Sequence, residues 1–219
     1  ISPYPASAIG ASEVQPLEFV AAFTALDNLG TPMMPRFVYR VEDRAGKTLW
    51  TQEVRSLPPA LDPRVTFILR DMMRDVVERG TATPVRRFLP ETVPVAGKTG
   101  TTDENTDVWF VGLTPEIVAG VWLGFDKPRP IAEHGVAGGS LAAPVFAEML
   151  AQAGYTHPTA AWDVPPGLIS AELDRSTGKL ADATTPPDRR YTEYFLPGTE
   201  PGALRLDARR LFVLGPIMF

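Results

Sequence analysis

Ten residues constrain this chain more than any other stretch: Val93-Pro94-Val95-Ala96-Gly97-Lys98-Thr99-Gly100-Thr101-Thr102. They set one lysine among small residues, with β-prone apolar sequence just before it and again at 108–113. A cation without bulky neighbours is free to meet an anionic ligand. A nucleotide P-loop also uses Gly-Lys-Thr, but as G-x-x-x-x-G-K-[ST] running directly into a helix. Here Thr92 stands where the first glycine belongs, and Pro94 removes a backbone N–H that a phosphate cradle relies on. The sequence that follows is a polar turn and then Val108-Trp109-Phe110-Val111-Gly112-Leu113, which reads as a strand rather than a helix. The phosphate-binding reading is therefore set aside.

The alternation suits an edge strand instead. Lys98 and Gly100 fall on one parity, Thr99 and Thr101 on the other, and Gly100 lets an extended ligand approach the backbone. A peptide ending in a carboxylate could add there as a neighbouring strand. Lys-Thr-Gly is also a strand motif of the penicillin-recognising serine acyltransferases. Three further blocks make that resemblance specific: residues 106–125 (TDVWFVGLTPEIVAGVWLGF), 138–144 (GGSLAAP) and the opening 4–18 (YPASAIGASEVQPLE). Together with 96–102 they resemble, in order, the transpeptidase domain of class A penicillin-binding proteins, and weaker matches continue beyond residue 150. The resemblance implies an α/β (α+β) fold, an antiparallel sheet flanked by helices of the penicillin-binding protein/β-lactamase-like kind, incomplete at its N-terminus.

The remaining elements follow from periodicity. Pro16 fits the first position of a helix over 16–29 with Glu18 at N3, Val20, Phe23 and Leu26 as its apolar stripe and Gly30 as its stop. Period-two alternation over 36–54, broken at Asp43-Arg44-Ala45-Gly46, predicts a hairpin. Asp62 as N-cap and Pro63 at N1 open a helix over 63–79, whose apolar positions Val65, Ile68, Leu69, Met72, Met73 and Val76 predict its buried face. Thr81, just past Gly80, reads first as a turn residue beside the motif strand; the resemblance places its neighbourhood beside the active-site groove, which leaves a supporting role there as the other reading. Strands are expected at 93–101, 108–113 and 117–125, the last two joined as a tight hairpin, and a closing helix at 143–153. Residues 1–154 are thus read as the C-terminal part of the transpeptidase domain, and 155–219 as an irregular, proline-rich tail.

Several patterns that look like chemistry have plainer readings. Asp103-Glu104-Asn105-Thr106-Asp107 is a turn, with Asp107 anchoring the next strand. Gly135-Val136-Ala137-Gly138-Gly139 lacks the order of a dinucleotide-binding loop. Ser176-Thr177-Gly178-Lys179 matches S-x-x-K in letters, but a glycine inside it costs a helix roughly 1 kcal/mol. His134 and His157 are isolated, and with no cysteine there is neither a disulfide nor a thiolate metal site, so no metal and no cofactor is expected. A net charge of −5 with scattered basic residues gives no nucleic-acid footprint. No apolar run of membrane-spanning length occurs.

What the family does is implied by the resemblance alone. A serine attacks the carbonyl between the last two D-alanines of a peptidoglycan stem peptide, a lysine one helical turn later activates it, and the acyl group passes to an amine of a neighbouring stem. β-Lactams acylate the same serine. Neither the nucleophile motif nor a Ser-x-Asn partner is found in residues 1–150, so the nucleophile is expected in an upstream part of the same domain. On this reading Lys98 is catalytic, the backbone N–H of Thr101 is an oxyanion-hole donor, and Lys98, Thr99, Gly100 and Thr101 bind substrate. The resemblance further implies a site on the extracytoplasmic (periplasmic) face of the bacterial inner membrane, an anchor outside these residues, and a separate glycosyltransferase domain. The other readings are a related D,D-carboxypeptidase or β-lactamase-type hydrolase, and a non-catalytic module that keeps the groove.

Overall fold

A computed structural model of the chain describes residues 4–132, 137–157 and 160–202. It divides into two compact units, residues 1–163 and 164–219.

The first unit is built around a three-stranded antiparallel sheet. Helix α1 spans Pro16–Asp27, β1 Arg40–Glu42, β2 Thr48–Thr51, α2 Pro63–Glu78, β3 Ala96–Thr101, β4 Asp107–Leu113, β5 Val118–Gly124 and α3 Ala142–Gln152. Strand order is β3-β4-β5, with Lys98 opposite Val111 and Trp109 opposite Trp122. Successive residues of β4 face opposite sides of the sheet. Trp109 meets Phe19 of α1 edge-on at 5.6 Å between ring centroids, and Phe110 meets Phe146 of α3 at 5.2 Å. So α1 covers one face and α3 the other, while α2 lies against β3.

The larger core joins Val77, Ala82, Val85, Leu89, Val93 and Val95 to Val108, Phe110 and the α3 residues Ala143, Phe146 and Leu150. Val93 and Val95 are fully buried, which places the start of the motif strand in the core before the chain emerges at Lys98. The smaller core gathers Phe23 and Leu26 of α1 around Met73, Ala96 and Leu113.

Local signals explain the helix ends. Pro16 occupies the first turn of α1, and Gly30, at φ +100°, donates its N–H back to Ala25 in a left-handed stop. Asp62 caps α2 by accepting from the Arg64 N–H at 2.8 Å.

The buried face of α2 differs from the one expected. It is Thr66, Phe67, Arg70, Met73 and Val77, while Val65, Leu69 and Met72 are exposed. Two polar residues turn the helix by about one position because each finds partners inside. Thr66 returns its hydroxyl to the Asp62 carbonyl. Arg70, 2% exposed, donates to the Asp27 carbonyl at 2.8 Å and lies over the Trp162 ring at 4.7 Å. Trp162 in turn donates its indole N–H to the Asp27 carboxylate at 2.7 Å. The three residues tie the end of α1, the middle of α2 and the segment after α3 together. Burial pushes the Arg70 guanidinium down to about 10, the nearby Asp27 and Asp71 charges opposing it, and burial likewise raises the Asp27 carboxyl above its ordinary 3.8.

The hairpin β1–β2 pairs Val41 with Trp50 across a bulge at Val41/Glu42, and its strand residues are all exposed.

Residues 164–202 correct the expectation of an irregular tail. Strands β6 (Ile169–Asp174) and β7 (Arg190–Phe195) pair antiparallel along their full length. Their common end is fixed by the Asp174 carboxylate, which takes two N–H groups of Arg189 and the Ser176 backbone N–H and hydroxyl. These contacts hold the Asp174 carboxyl below its ordinary range, the Arg189 hydrogen bonds first. The strand signal is short and mixed in polarity, and the flanking prolines hide it from a periodicity reading.

Two outcomes test the Arg70 node. Arg70→Met leaves the Asp27 carbonyl without its donor and should lower stability by about 2 kcal/mol in urea denaturation. Because the folded-state Asp27 carboxyl is raised, its contribution is fullest below its unfolded pKa and is lost as pH rises through the higher folded value. Stability measured from pH 3.5 upward should therefore carry a falling component just above 3.8 that disappears in Asp27→Asn.

Candidate functional site

The candidate site is the free edge of β3. Among the described residues β3 pairs with β4 on one side only. The pairing also fixes which backbone groups face outward. The Thr102 N–H donates to the Asp107 carbonyl at 3.1 Å, and in an antiparallel ladder the groups facing the partner alternate. Residues 98, 100 and 102 therefore direct their backbone groups toward β4. Gly97, Thr99 and Thr101 direct theirs away from it, so the Thr101 N–H stands on the open edge.

Side chains complete the edge. Lys98 is exposed and curls its Nζ onto the Thr99 carbonyl at 2.6 Å, across the same open edge. It has no ion pair among the described residues. Thr99 and Thr101 hold their hydroxyls on the opposite face of the strand, each with one fixed partner. The Thr99 Oγ1 lies 2.8 Å from the Thr81 Oγ1. The Thr101 Oγ1 accepts from the Gly138 N–H at 2.9 Å. An anion at this edge would meet an ammonium, two hydroxyls and an outward backbone N–H.

Three local devices hold the strand in place. The turn after β3 is closed by the Thr102 hydroxyl, which accepts from the N–H groups of Thr106 and Asp107, both at 3.0 Å. Asp107 opens β4 and takes the Trp122 indole N–H at 2.9 Å, which makes it an anchor rather than an acid or base. The third device is the pair Gly138-Gly139. A Cβ on Gly138 would stand 2.3 Å from the Trp109 carbonyl oxygen and 2.8 Å from that of Gly100, and a Cβ on Gly139 would stand 1.7 Å from that of Thr81. The backbone is thus wedged between β3 and the exit of α2, where no side chain fits.

The sequence brings Lys98, Thr99, Gly100 and Thr101 onto one strand, and the structure gives them one common edge. Thr81 and Gly138, read as turn and loop residues, prove to be bonded to the two threonine hydroxyls. The available signal was position: Thr81 follows the stop of α2, and Gly138 precedes α3. Ser176 sits in the turn after β6, its hydroxyl bonded to Asp174 and Arg189, far from a helix start. His157 is exposed, and His134 lies outside the described residues. Among the described residues no group of three histidine or acidic side chains could hold a metal ion, and no helix is long and apolar enough to cross a membrane.

Comparison with known proteins covers both units. Residues 3–151 match the family described as penicillin binding protein transpeptidase domain, and residues 164–204 match that described as penicillin-binding protein 1A, C-terminal domain. Penicillin-binding protein 1A of Aquifex aeolicus (strain VF5) is 35% identical over 201 residues, 92% of this chain and 27% of that protein. The chain thus spans about a quarter of the length of that relative. Among solved structures, penicillin-binding protein 1A from Haemophilus influenzae superposes with a TM-score of 0.76 at 21% identity, covering 90% of this chain and 34% of that one. The PonA1 protein from Mycobacterium tuberculosis in complex with penicillin V superposes at 0.57 and 24% identity, over 75% of this chain and 47% of that one. At those identities the likeness speaks to the fold, an antiparallel sheet flanked by helices.

Proposed function

Because this chain belongs to the penicillin-binding protein transpeptidase family, we propose that it forms the Lys98 wall of a serine-type D-Ala-D-Ala transpeptidase that cross-links peptidoglycan. The observation that carries the reading is the open edge of β3, where Lys98, two hydroxyls and the outward Thr101 N–H converge.

In this reading the stem peptide lies along the edge as an added strand. Its terminal carboxylate meets the Lys98 ammonium and the Thr99 and Thr101 hydroxyls. A serine supplied by another part of the protein attacks the carbonyl of the penultimate D-alanine, and the developing oxyanion is held by the Thr101 N–H. The C–N bond breaks, the last D-alanine leaves as an amine with the proton the serine gave up, and an ester to the serine is left. The amine of a neighbouring stem then attacks that ester, forming the cross-link and freeing the serine. A β-lactam enters by the same route and stops at the ester. Lys98 favours the anionic end of the ligand and lowers the cost of moving the serine's proton.

The substrate sets the place of work: stem peptides of the extracytoplasmic face, with the parent protein anchored in the inner membrane. A separate glycosyltransferase domain in the parent belongs to the same proposal and rests on the resemblance to class A proteins.

Lys98→Ala in the complete protein should slow acylation by benzylpenicillin by about 10²-fold, the loss expected for one preorganised electrostatic group. Acylation at the unaltered rate would remove Lys98 from the mechanism. Rapid turnover of penicillin rather than a stable adduct would turn the reading toward a hydrolase.

A further inference from the structure

The partners of the two threonine hydroxyls on β3 have an order that the motif does not specify. A hydroxyl has one proton to give and two lone pairs to accept with. The Gly138 amide can only donate, so its 2.9 Å contact occupies a lone pair of Thr101 and leaves the Thr101 proton unused. Between Thr99 and Thr81, 2.8 Å apart, either oxygen can be the donor. An anion arriving at Thr99 decides the matter: it accepts a hydrogen bond from the Thr99 hydroxyl, and the Thr81 hydroxyl then donates to the Thr99 oxygen. The result is a relay from Thr81 through Thr99 to the anion, whose members polarise one another.

Both supporting groups are held by regular structure. The Ala82 N–H bonds the Val76 carbonyl at 2.9 Å as α2 ends, and Ala82 itself is fully buried, which fixes Thr81 one residue earlier. The Gly138 carbonyl accepts from the Ala143 N–H at 2.9 Å at the start of α3. The Gly138-Gly139 backbone passes too close to the Trp109, Gly100 and Thr81 carbonyls for either residue to carry a side chain. The segments at the end of α2 and the start of α3 thus set the two hydroxyls.

We propose that Thr81 and the Gly138 N–H are positioning groups that commit Thr99 and Thr101 to donating, and so make the β3 edge select a ligand ending in a carboxylate over its neutral ester. A threonine without such support can accept as well as donate and serves a carbonyl or ester oxygen nearly as well as an anion. With one lone pair engaged by a donor, its proton is more strongly polarised and serves the anion better, because charge strengthens each donated bond. The inference rests on the transpeptidase reading and adds to it the residues that set ligand charge preference.

The test compares benzylpenicillin with its methyl ester as acylating probes of the complete protein, using rate constants, which do not depend on the fraction of folded protein. Thr81→Val keeps the shape and removes the hydroxyl. It should reduce the acid-to-ester ratio of rate constants about five- to tenfold, in keeping with one lost hydrogen bond in a charge-assisted chain. Thr81→Ser should restore the ratio. Gly138→Ala, which forces the N–H away from Thr101, should lower the same ratio by an independent route. Equal loss for both probes, or an unchanged ratio in Thr81→Val, overturns the proposal, since a purely structural role moves both alike. If the unaltered protein is acylated by neither probe, it is the transpeptidase reading that fails, and this inference falls with it.

Discussion

The structure depends on one strand that must be buried at its beginning and bare along one edge. β3 enters from Val93 and Val95, both fully buried, and leaves through Lys98 to Thr101, exposed or half-buried. An unpaired edge invites another strand, and proteins usually blunt such edges with a charge, brevity or a cover. Here the strand is six residues long, a lysine lies across its middle, and its hydroxyls are tied from behind. The small residues are a consequence of this. Ala96 and Gly97 let two helices and a sheet close over the strand, and Gly100 keeps the edge open to an extended ligand.

Covering both faces of a narrow sheet sets the rest of the architecture. With three strands in the sheet, aromatic residues of β4 alternate between α1 and α3. Helix α2 closes against β3 through Met73, beside Ala96 and Leu113, and buries Arg70 toward the end of α1. A buried guanidinium is expensive unless its donors find acceptors, and the carbonyl of Asp27 together with the flat face of Trp162 supplies much of what is needed. The cost is visible in the depressed Arg70 and raised Asp27 titrations. In return, three segments far apart in sequence are fixed at one point, and α2 delivers Thr81 to the back of β3.

How much of this could be read from sequence varies by element, for physical reasons. Helix starts were legible at Pro16 and Asp62-Pro63, because proline and a short carboxylate act locally. The strands of the central sheet were legible because VWFVGL and its neighbours are continuously apolar, as buried strands are. The rotation of α2 was not, since periodicity assigns arginine to solvent and cannot see a tryptophan 92 positions away waiting for it. The β6–β7 pair was missed because its strands mix Glu, Arg and Thr with apolar residues and are joined by the Asp174–Arg189 and Glu172–Arg190 ion pairs as well as by their ladder. At the site, Lys98, Thr99 and Thr101 were legible as a motif. Thr81 was legible only through the resemblance, as the lesser reading beside a plain turn, because a turn threonine resembles every other, and the Gly138 N–H was not legible, because a backbone amide has no signature.

The lysine's resting contact has a consequence for how the edge works. Its Nζ bonds the Thr99 carbonyl, the acceptor that an added strand would use for its own N–H. A neutral strand arriving here would have to displace the ammonium and leave it with water alone. A strand that brings a carboxylate offers the ammonium a stronger acceptor at the moment its old one is taken, so the number of hydrogen bonds is kept and their charge assistance rises. On the proposed function, Lys98 therefore acts against edge pairing in general and for pairing with an anionic ligand in particular. In that proposal one side chain supplies both protection of the strand and selection of what joins it, and the two roles are separated only by the charge at the end of the incoming chain.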